Sequence, residues 1–402
     1  MFQWMGTRVQ THTAKVLVLT GSLGHGHMQT ANAIKETIQQ RYGSHAEVQI
    51  VDYLELTSPH LHNVGSYCYV QWVKHFPSMY GGLFELTRKE RRFAQAIKSI
   101  RLTSHRRLAK LIQAMEPTVV VSTFPSASAA VSKLRERGII TCAAATLITD
   151  HTDHSFWIHP YTDLYMVASE QAKYMLIHQG IAPNRIAVTG IPLRPAFYKK
   201  YDKYALREQY HLKKNKLTVL IMGGGCGLLD PAVLESLESA SWAKNLQIIV
   251  ICGNNERLQQ QLQHWADQAS IDVVIKGYID HIHEYMAMSD LMITKPGGVT
   301  TSEAIAQRLP LIVYKPLPGQ EQDNIGYLLH TGLACRARDV DGLLKRLSSF
   351  AKQPEQLDMM RLNAEAACAP IEHDAIEVLM ELERMPAPLI HTSPSWFKRP
   401  VG

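Results

Sequence analysis

Leu291 to Gly319 reads LMITKPGGVTTSEAIAQRLPLIVYKPLPG. It opens with a short apolar run, Leu291-Met292-Ile293, of the kind that makes a buried parallel strand. Lys295-Pro296-Gly297-Gly298 cannot prolong that strand, and its glycines remove side chains where the chain must turn. Thr300, Thr301 and Ser302 are each candidates to cap a helix running through Glu303, Ala304, Ile305 and Ala306. A second apolar run, Leu311-Ile312-Val313-Tyr314, precedes a Pro/Gly loop that ends at Gln320-Glu321. The order is strand, glycine turn, helix, strand. Such a turn leaves backbone N–H groups at a helix N-terminus, where hydrogen bonds and the helix dipole favour a phosphate. Glu303 falls about one turn into the helix, where its carboxylate either accepts from a ribose hydroxyl or is simply solvated.

The same grammar begins the chain. Residues 15–20, KVLVLT, are a candidate buried strand followed by Gly21-Ser22-Leu23-Gly24-His25-Gly26-His27. A helical pattern (Ala31, Ala33, Ile34, Ile38) and a strand over 48–51, ending at Asp52, come next. The glycine order is G-x-x-G-x-G rather than the G-x-G-x-x-G of dinucleotide sites, which argues against an NAD-dependent oxidoreductase. Apolar runs at 119–122 and 141–148 predict two more strands. The second leads into Thr149-Asp150-His151-Thr152-Asp153-His154, with Phe156 and Trp157 beyond. Polar groups at the C-terminal edge of a strand lie where open α/β sheets bind ligands. No helical face gathers these His and Asp residues and no third cluster completes them, so no metal is expected.

A strand over 163–168 is followed by Gly190-Ile191-Pro192-Leu193-Arg194-Pro195, where three breakers in six residues make a rigid connector. Arg194 on it can donate two hydrogen bonds to a diphosphate. The second half restarts with a strand at 217–222, Gly223-Gly224-Gly225-Cys226-Gly227, and Asp230-Pro231 as N-cap and first helical residue. Strands at 247–252 and 272–275 lead back to the opening stretch, and helices are expected at 338–351, 355–368 and 371–384. Two strand–glycine turn–helix starts, near 15 and 217, predict two Rossmann-like α/β domains. These would be residues 1–200 and 201–370, followed at 371–402 by a helix packing back on the first domain and a disordered tail.

Among the 402 residues no run of about 18 apolar ones predicts a membrane span, and the first 15 lack a signal peptide's apolar core. Six scattered cysteines without a C-x-x-C pair fit a reducing cytosol and no zinc site. The net charge of +6 is concentrated: Lys74 to Lys110 holds ten Lys/Arg against Glu85 and Glu90, a net +8 that leaves −2 elsewhere. Tyr67, Tyr69, Trp72, Phe76, Tyr80 and Phe84 lie just before or within it. Aromatics beside Arg88-Lys89-Glu90-Arg91-Arg92 have the composition of a segment that meets an anionic membrane surface; the alternative is a basic helix packed on the sheet.

Lys-Pro-Gly-Gly-x-Thr-x-Ser-Glu-Ala followed by Pro-Gly-Gln-Glu resembles the donor site of the diacylglycerol glycosyltransferases. These are the bacterial processive glucosyltransferases and the plant galactolipid synthases. They are related to the N-acetylglucosaminyltransferase that completes the lipid-linked peptidoglycan precursor. Gly26-His27, then Thr149-Asp150 with His154 and Trp157, and Gly-x-Pro-x-Arg-Pro-x-Phe at 190–197 resemble further motifs of that family.

The resemblance implies the GT-B fold, two Rossmann-like domains facing across a cleft. It implies inverting transfer of a hexose, first of all glucose from UDP-glucose, to diacylglycerol, and processively to the glycolipid product. Other readings are UDP-galactose as donor, N-acetylglucosamine transfer to a lipid-linked saccharide, and a non-catalytic sugar-nucleotide sensor. His27 and Asp150 compete for the role of base, or His27 orients the acceptor while Asp150 is the base. The donor would be held by Arg194, Gly223, Gly224, Gly225, Gly227, Lys295, Gly297, Gly298, Thr300 and Ser302. Glu303 would take the ribose, and Gln320 and Glu321 the sugar. Gly26, His154, Trp157, Trp72, Phe76, Arg88, Lys89, Arg91 and Arg92 fall on the acceptor and membrane side. The UDP-sugar is a co-substrate, with no cofactor, metal or nucleic acid expected. The expected place is the cytoplasmic face of the cell membrane, bound peripherally; the oligomeric state is left open.

Overall fold

Runs rich in Val, Ile and Leu, separated by helical segments, bury both faces and therefore pair in parallel with helices above and below. The structure, a computed structural model, describes residues 13–57, 71–73, 75–89, 105–223, 231–368 and 373–385. The first sheet contains β1 (Ala14–Thr20), β2 (Ala46–Asp52), β3 (Val119–Ser122), β4 (Ala143–Leu147), β5 (Leu164–Val167) and β6 (Ile186–Val188). The second contains β7 (Leu217–Met222), β8 (Leu246–Ile251), β9 (Asp272–Lys276), β10 (Leu291–Thr294), β11 (Leu311–Tyr314) and β12 (Ala334–Ala337).

The helices of the first half of the chain are α1 (His25–Tyr42), α2 (Tyr53–Thr57), α3 (Pro77–Arg88), α4 (His105–Met115), α5 (Pro125–Glu136) and α6 (Glu170–His178). Those that follow are α7 (Lys203–Gln209), α8 (Pro231–Glu238), α9 (Glu256–Ala266), α10 (Ile282–Met288) and α11 (Gly298–Ala306). The last four are α12 (Gln320–His330), α13 (Val340–Lys352), α14 (Gln356–Ala367) and α15 (Ala375–Arg384).

Strand order is β2-β1-β3-β4-β5-β6 in one sheet and β12-β11-β10-β7-β8-β9 in the other. Every pairing is parallel, from Val16 opposite Val48 to Leu311 opposite Ala334. The order reverses between β1 and β3 in the first sheet and between β7 and β10 in the second. In open α/β sheets ligands bind beyond the strand ends at such reversals. The described loops there include the glycine turns after β1 and β10.

Three local expectations are corrected. Residues 334–337, where no strand is expected, are the edge strand β12; four residues are too few to show a period. Ile186–Val188, just ahead of the connector and likewise without an expected strand, pairs with β5 as β6. Thr300, Thr301 and Ser302 do not cap α11, whose N-cap is Gly297. Instead Thr301 and Ser302 return their hydroxyls to the carbonyls of Gly297 and Gly298. The final helix, α15, crosses to the first sheet. Ile376, Leu379 and Met380 share a core with Val16, Ile34 and Val121, and Asp374 both caps α15 and pairs with Arg41 of α1.

Candidate active site

The two domains touch at the strand ends, and glycines permit it. A Cβ on Gly298 would stand 2.0 Å from the Thr149 carbonyl oxygen, and one on Gly26 would stand 3.3 Å from Val299. The bare backbone read as an approach for phosphate at Gly298 is thus occupied by the other domain. The Asp150 carboxylate lies beside this helix N-terminus, and the Gly298 backbone lowers its pKa.

Asp150 and His27 line one pocket of about 210 Å³, walled by Leu23, Trp72, Tyr80, Phe84, Phe124 and Trp157. Burial pushes the Asp150 carboxyl up to about 7, against the lowering effect of a hydrogen bond from Asn324. Burial also lowers the His27 imidazole to about 4, against a ring hydrogen bond to the Thr123 backbone. His27 Nδ1 lies 3.1 Å from Thr149 Oγ1, and its ring meets Phe124 edge-on at 5.3 Å. At neutral pH His27 is therefore an uncharged hydrogen-bonding group, while Asp150 titrates where a general base is most effective. Gln320 lines the same pocket and accepts from the Tyr80 hydroxyl at 2.8 Å.

A second pocket of about 120 Å³ is lined by Arg194, Thr300, Glu303, His25, Asn254 and Tyr278. Glu303 is buried, which pushes its carboxyl up to about 8 despite the opposing charge of Arg194. Arg194 donates to the Asp280 carbonyl and lies over the Phe197 ring, and its buried Nε has no partner among the described residues. Lys295 and Glu321 are 3.5 Å apart, and Glu321 also accepts from the Leu317 N–H. Gly223 follows β7, whose last residue, Met222, lines this pocket, whereas Gly224, Gly225 and Gly227 lie outside the described residues. Asn254, Tyr278 and Asn324 are not singled out from sequence, and His25 stands out there without an assigned role. His25 sits in the glycine turn itself, and Asn324 follows Gln320 by one helical turn, the spacing that puts two side chains on one face.

The model for monogalactosyldiacylglycerol (MGDG) synthase matches residues 27–193, and that for the glycosyltransferase family 28 C-terminal domain matches residues 218–369. A processive diacylglycerol beta-glucosyltransferase of Bacillus cereus (strain B4264) is 32% identical over 349 residues, covering 86% of this chain and 88% of that protein. The chain belongs to the diacylglycerol glycosyltransferase family. As a member of it, the protein is a glycosyltransferase with the GT-B fold. Among solved structures, MurG from Acinetobacter baumannii superposes with a TM-score of 0.59 over 93% of this chain and all of its own, at 15% identity. HepE from Anabaena, in complex with UDP, superposes with a TM-score of 0.53 over 92% and 98%, at 14% identity.

The residues expected on the acceptor and membrane side divide. Phe76, Met79 and Leu86 of α3 and its N-cap are more than half exposed, whereas Trp72 turns inward, edge-on to Tyr80 at 5.6 Å. Trp157 and His154 are buried. His154 Nε2 lies within hydrogen-bond distance of the Phe84 carbonyl and Thr87 Oγ1, which ties the end of α3 down. Arg88 is a correction: it is not a free surface cation. Its guanidinium reaches Asp153 and Asp323 at 2.7 Å each and Glu85 at 2.9 Å, so its charge is used between α3 and α12. Lys89 is exposed, and Arg91 and Arg92 lie outside the described residues. Among those described, no helix is long and apolar enough to cross a membrane, and no three His, Cys, Asp or Glu converge as metal ligands would.

Proposed function

We propose that this glycosyltransferase moves glucose from UDP-glucose to the free hydroxyl of diacylglycerol with inversion, and then to the glycolipid product. The observation that carries the reading is the pair of pockets lined by residues of both domains. One is mostly aromatic and contains Asp150 and His27; the other contains Glu303 and Arg194. The lipid hydroxyl enters the aromatic pocket beside His27, which orients it. The Asp150 carboxylate takes its proton as the oxygen attacks the anomeric carbon, and the bond from that carbon to the phosphate oxygen breaks on the opposite face. UDP leaves with its charge stabilised by Arg194, while Glu303 holds the ribose and Gln320 and Glu321 the sugar. The UDP-sugar is consumed as a co-substrate.

The exposed apolar residues of α3, with Lys89, Arg91 and Arg92, would dock the enzyme peripherally on an anionic inner membrane face. Thin-layer separation of products from labelled UDP-glucose and UDP-galactose on diacylglycerol vesicles tests the assignment. Glucosyl- and diglucosyl-diacylglycerol are expected. A galactolipid product would reverse the donor, and no glycolipid from either donor would refute the reading.

A further inference from the structure

We propose that Asn324 is a positioning residue for Asp150, and that the base is assembled only where the two domains meet. The inference rests on the reading of Asp150 as the base. Asn324 is fully buried on α12, in the second domain. Its Nδ2 donates to Asp150 Oδ1 at 2.8 Å and to the Pro296 carbonyl at 2.9 Å, and its Oδ1 accepts from the His151 N–H at 2.8 Å. The amide can sit only this way round. Flipped, its NH2 would face the His151 N–H and its oxygen would face a carboxylate and a carbonyl.

The Gly298 backbone, also from the second domain, lies against the same carboxylate and lowers its pKa. Asp150 itself lies just beyond β4 of the first domain. Its carboxylate is therefore held by a side chain from across the cleft, and separating the domains would remove Asn324 and Gly298 together. The contact is tight at two further points. Thr149 abuts Gly298, and the His151 ring stacks on Tyr327 of α12 with centroids 3.7 Å apart. The charged surroundings do not supply a substitute for Asn324. Glu321 and Asp323 on α12 both oppose ionisation of Asp150. Lys295 is turned toward Glu321 and Arg88 toward Asp323. His27 of α1, in the same pocket, is neutral over the working range.

The test is the pH dependence of kcat and of kcat/KM in the full-length enzyme and in Asn324→Ala, Asn324→Asp and Asp150→Asn, with UDP affinity measured for each. Losing a hydrogen bond to the ionised carboxylate disfavours that form. Asn324→Ala is therefore expected to move the acid limb up by about one pH unit, lower kcat at least about tenfold at pH 7 and leave UDP affinity unchanged. Asn324→Asp is nearly isosteric and sets a second carboxylate against Asp150, so its limb should move further in the same direction. Loss of turnover by the same factor at every pH, or an unmoved limb in the folded Asn324→Asp variant, would overturn the positioning role. Near-normal turnover in Asp150→Asn would instead overturn the base assignment, which keeps the two failures apart.

Discussion

Replacing Arg88 by Ala should destabilise the protein by about 2–3 kcal/mol. The magnitude follows from its position between two limits. An exposed ion pair contributes about 0–1 kcal/mol, whereas removing one partner of a buried pair costs about 3–5. Arg88 and its two aspartates are each about one-fifth exposed or less. Without the guanidinium, Asp153 keeps one bond from Gln179 and Asp323 keeps one from Thr152, so neither carboxylate is wholly orphaned. That places the loss between the limits rather than at the upper one. Arg88→Lys should recover little, because a single ammonium cannot reproduce the two-armed contact. Asp323→Asn in the Arg88→Ala background should restore part of the stability by removing an unpaired charge. Lys89→Ala, one residue further along at an exposed position, should change stability by no more than about 0.5 kcal/mol. Urea unfolding followed by circular dichroism measures all four. If Arg88→Ala and Lys89→Ala unfold at the same midpoint as the parent, the ion-pair bridge between α3 and α12 is not a stabilising element and the reasoning fails.

Glu303→Ala should weaken UDP binding by about 1–3 kcal/mol, the cost of leaving a hydrogen-bonding partner unmatched in a buried site; calorimetry on the folded variant checks it. Turnover should rise with pH through about 7, because Asp150 must lose its proton to act and its carboxyl is pushed up to about 7 by burial. His27, held near 4, should give no limb there. Asp150→Asn and His27→Ala should each lower turnover at least about a hundredfold at saturating substrates, the low end for loss of acid–base catalysis. Gly298→Ala would set a methyl 2.0 Å from the Thr149 oxygen, so it should prise the domains apart and lower kcat far more than UDP affinity, as single-turnover and binding measurements would show. Vesicles rich in phosphatidylglycerol should co-sediment the protein better than neutral ones, with loss at high salt. Changing Lys89, Arg91 and Arg92 to Ser should remove that preference while Arg88 stays in place; an unchanged preference would assign the docking surface elsewhere.

Sequence by itself determined the two-domain α/β plan and the family. Buried parallel strands are written as uninterrupted apolar runs, and glycine turns mark where each sheet begins, so both features are local and survive without coordinates. It also picked out the main charged and titratable groups of the two pockets, Asp150 and His27 in one and Arg194 and Glu303 in the other, because strand ends and glycine turns are where such sheets bind ligands. Short edge strands escaped it: β6 and β12 owe their state to neighbouring strands, not to a period of their own.

Only the tertiary structure decided which partner each site residue meets. Arg88 reads as one of a run of cations, but burial between Asp153 and Asp323 consumes its charge within the protein. Gly298 reads as a phosphate cradle, but its bare Cα lies against Thr149 and Asp150. Of the two competing bases, His27 has the better ordinary pKa for the role, and Asp150 needs a raised one. Burial inverts that order, because desolvation penalises a cationic imidazole downward and an anionic carboxylate upward. The shift depends on which surfaces close over a group, and those surfaces come from residues more than a hundred positions away in the chain.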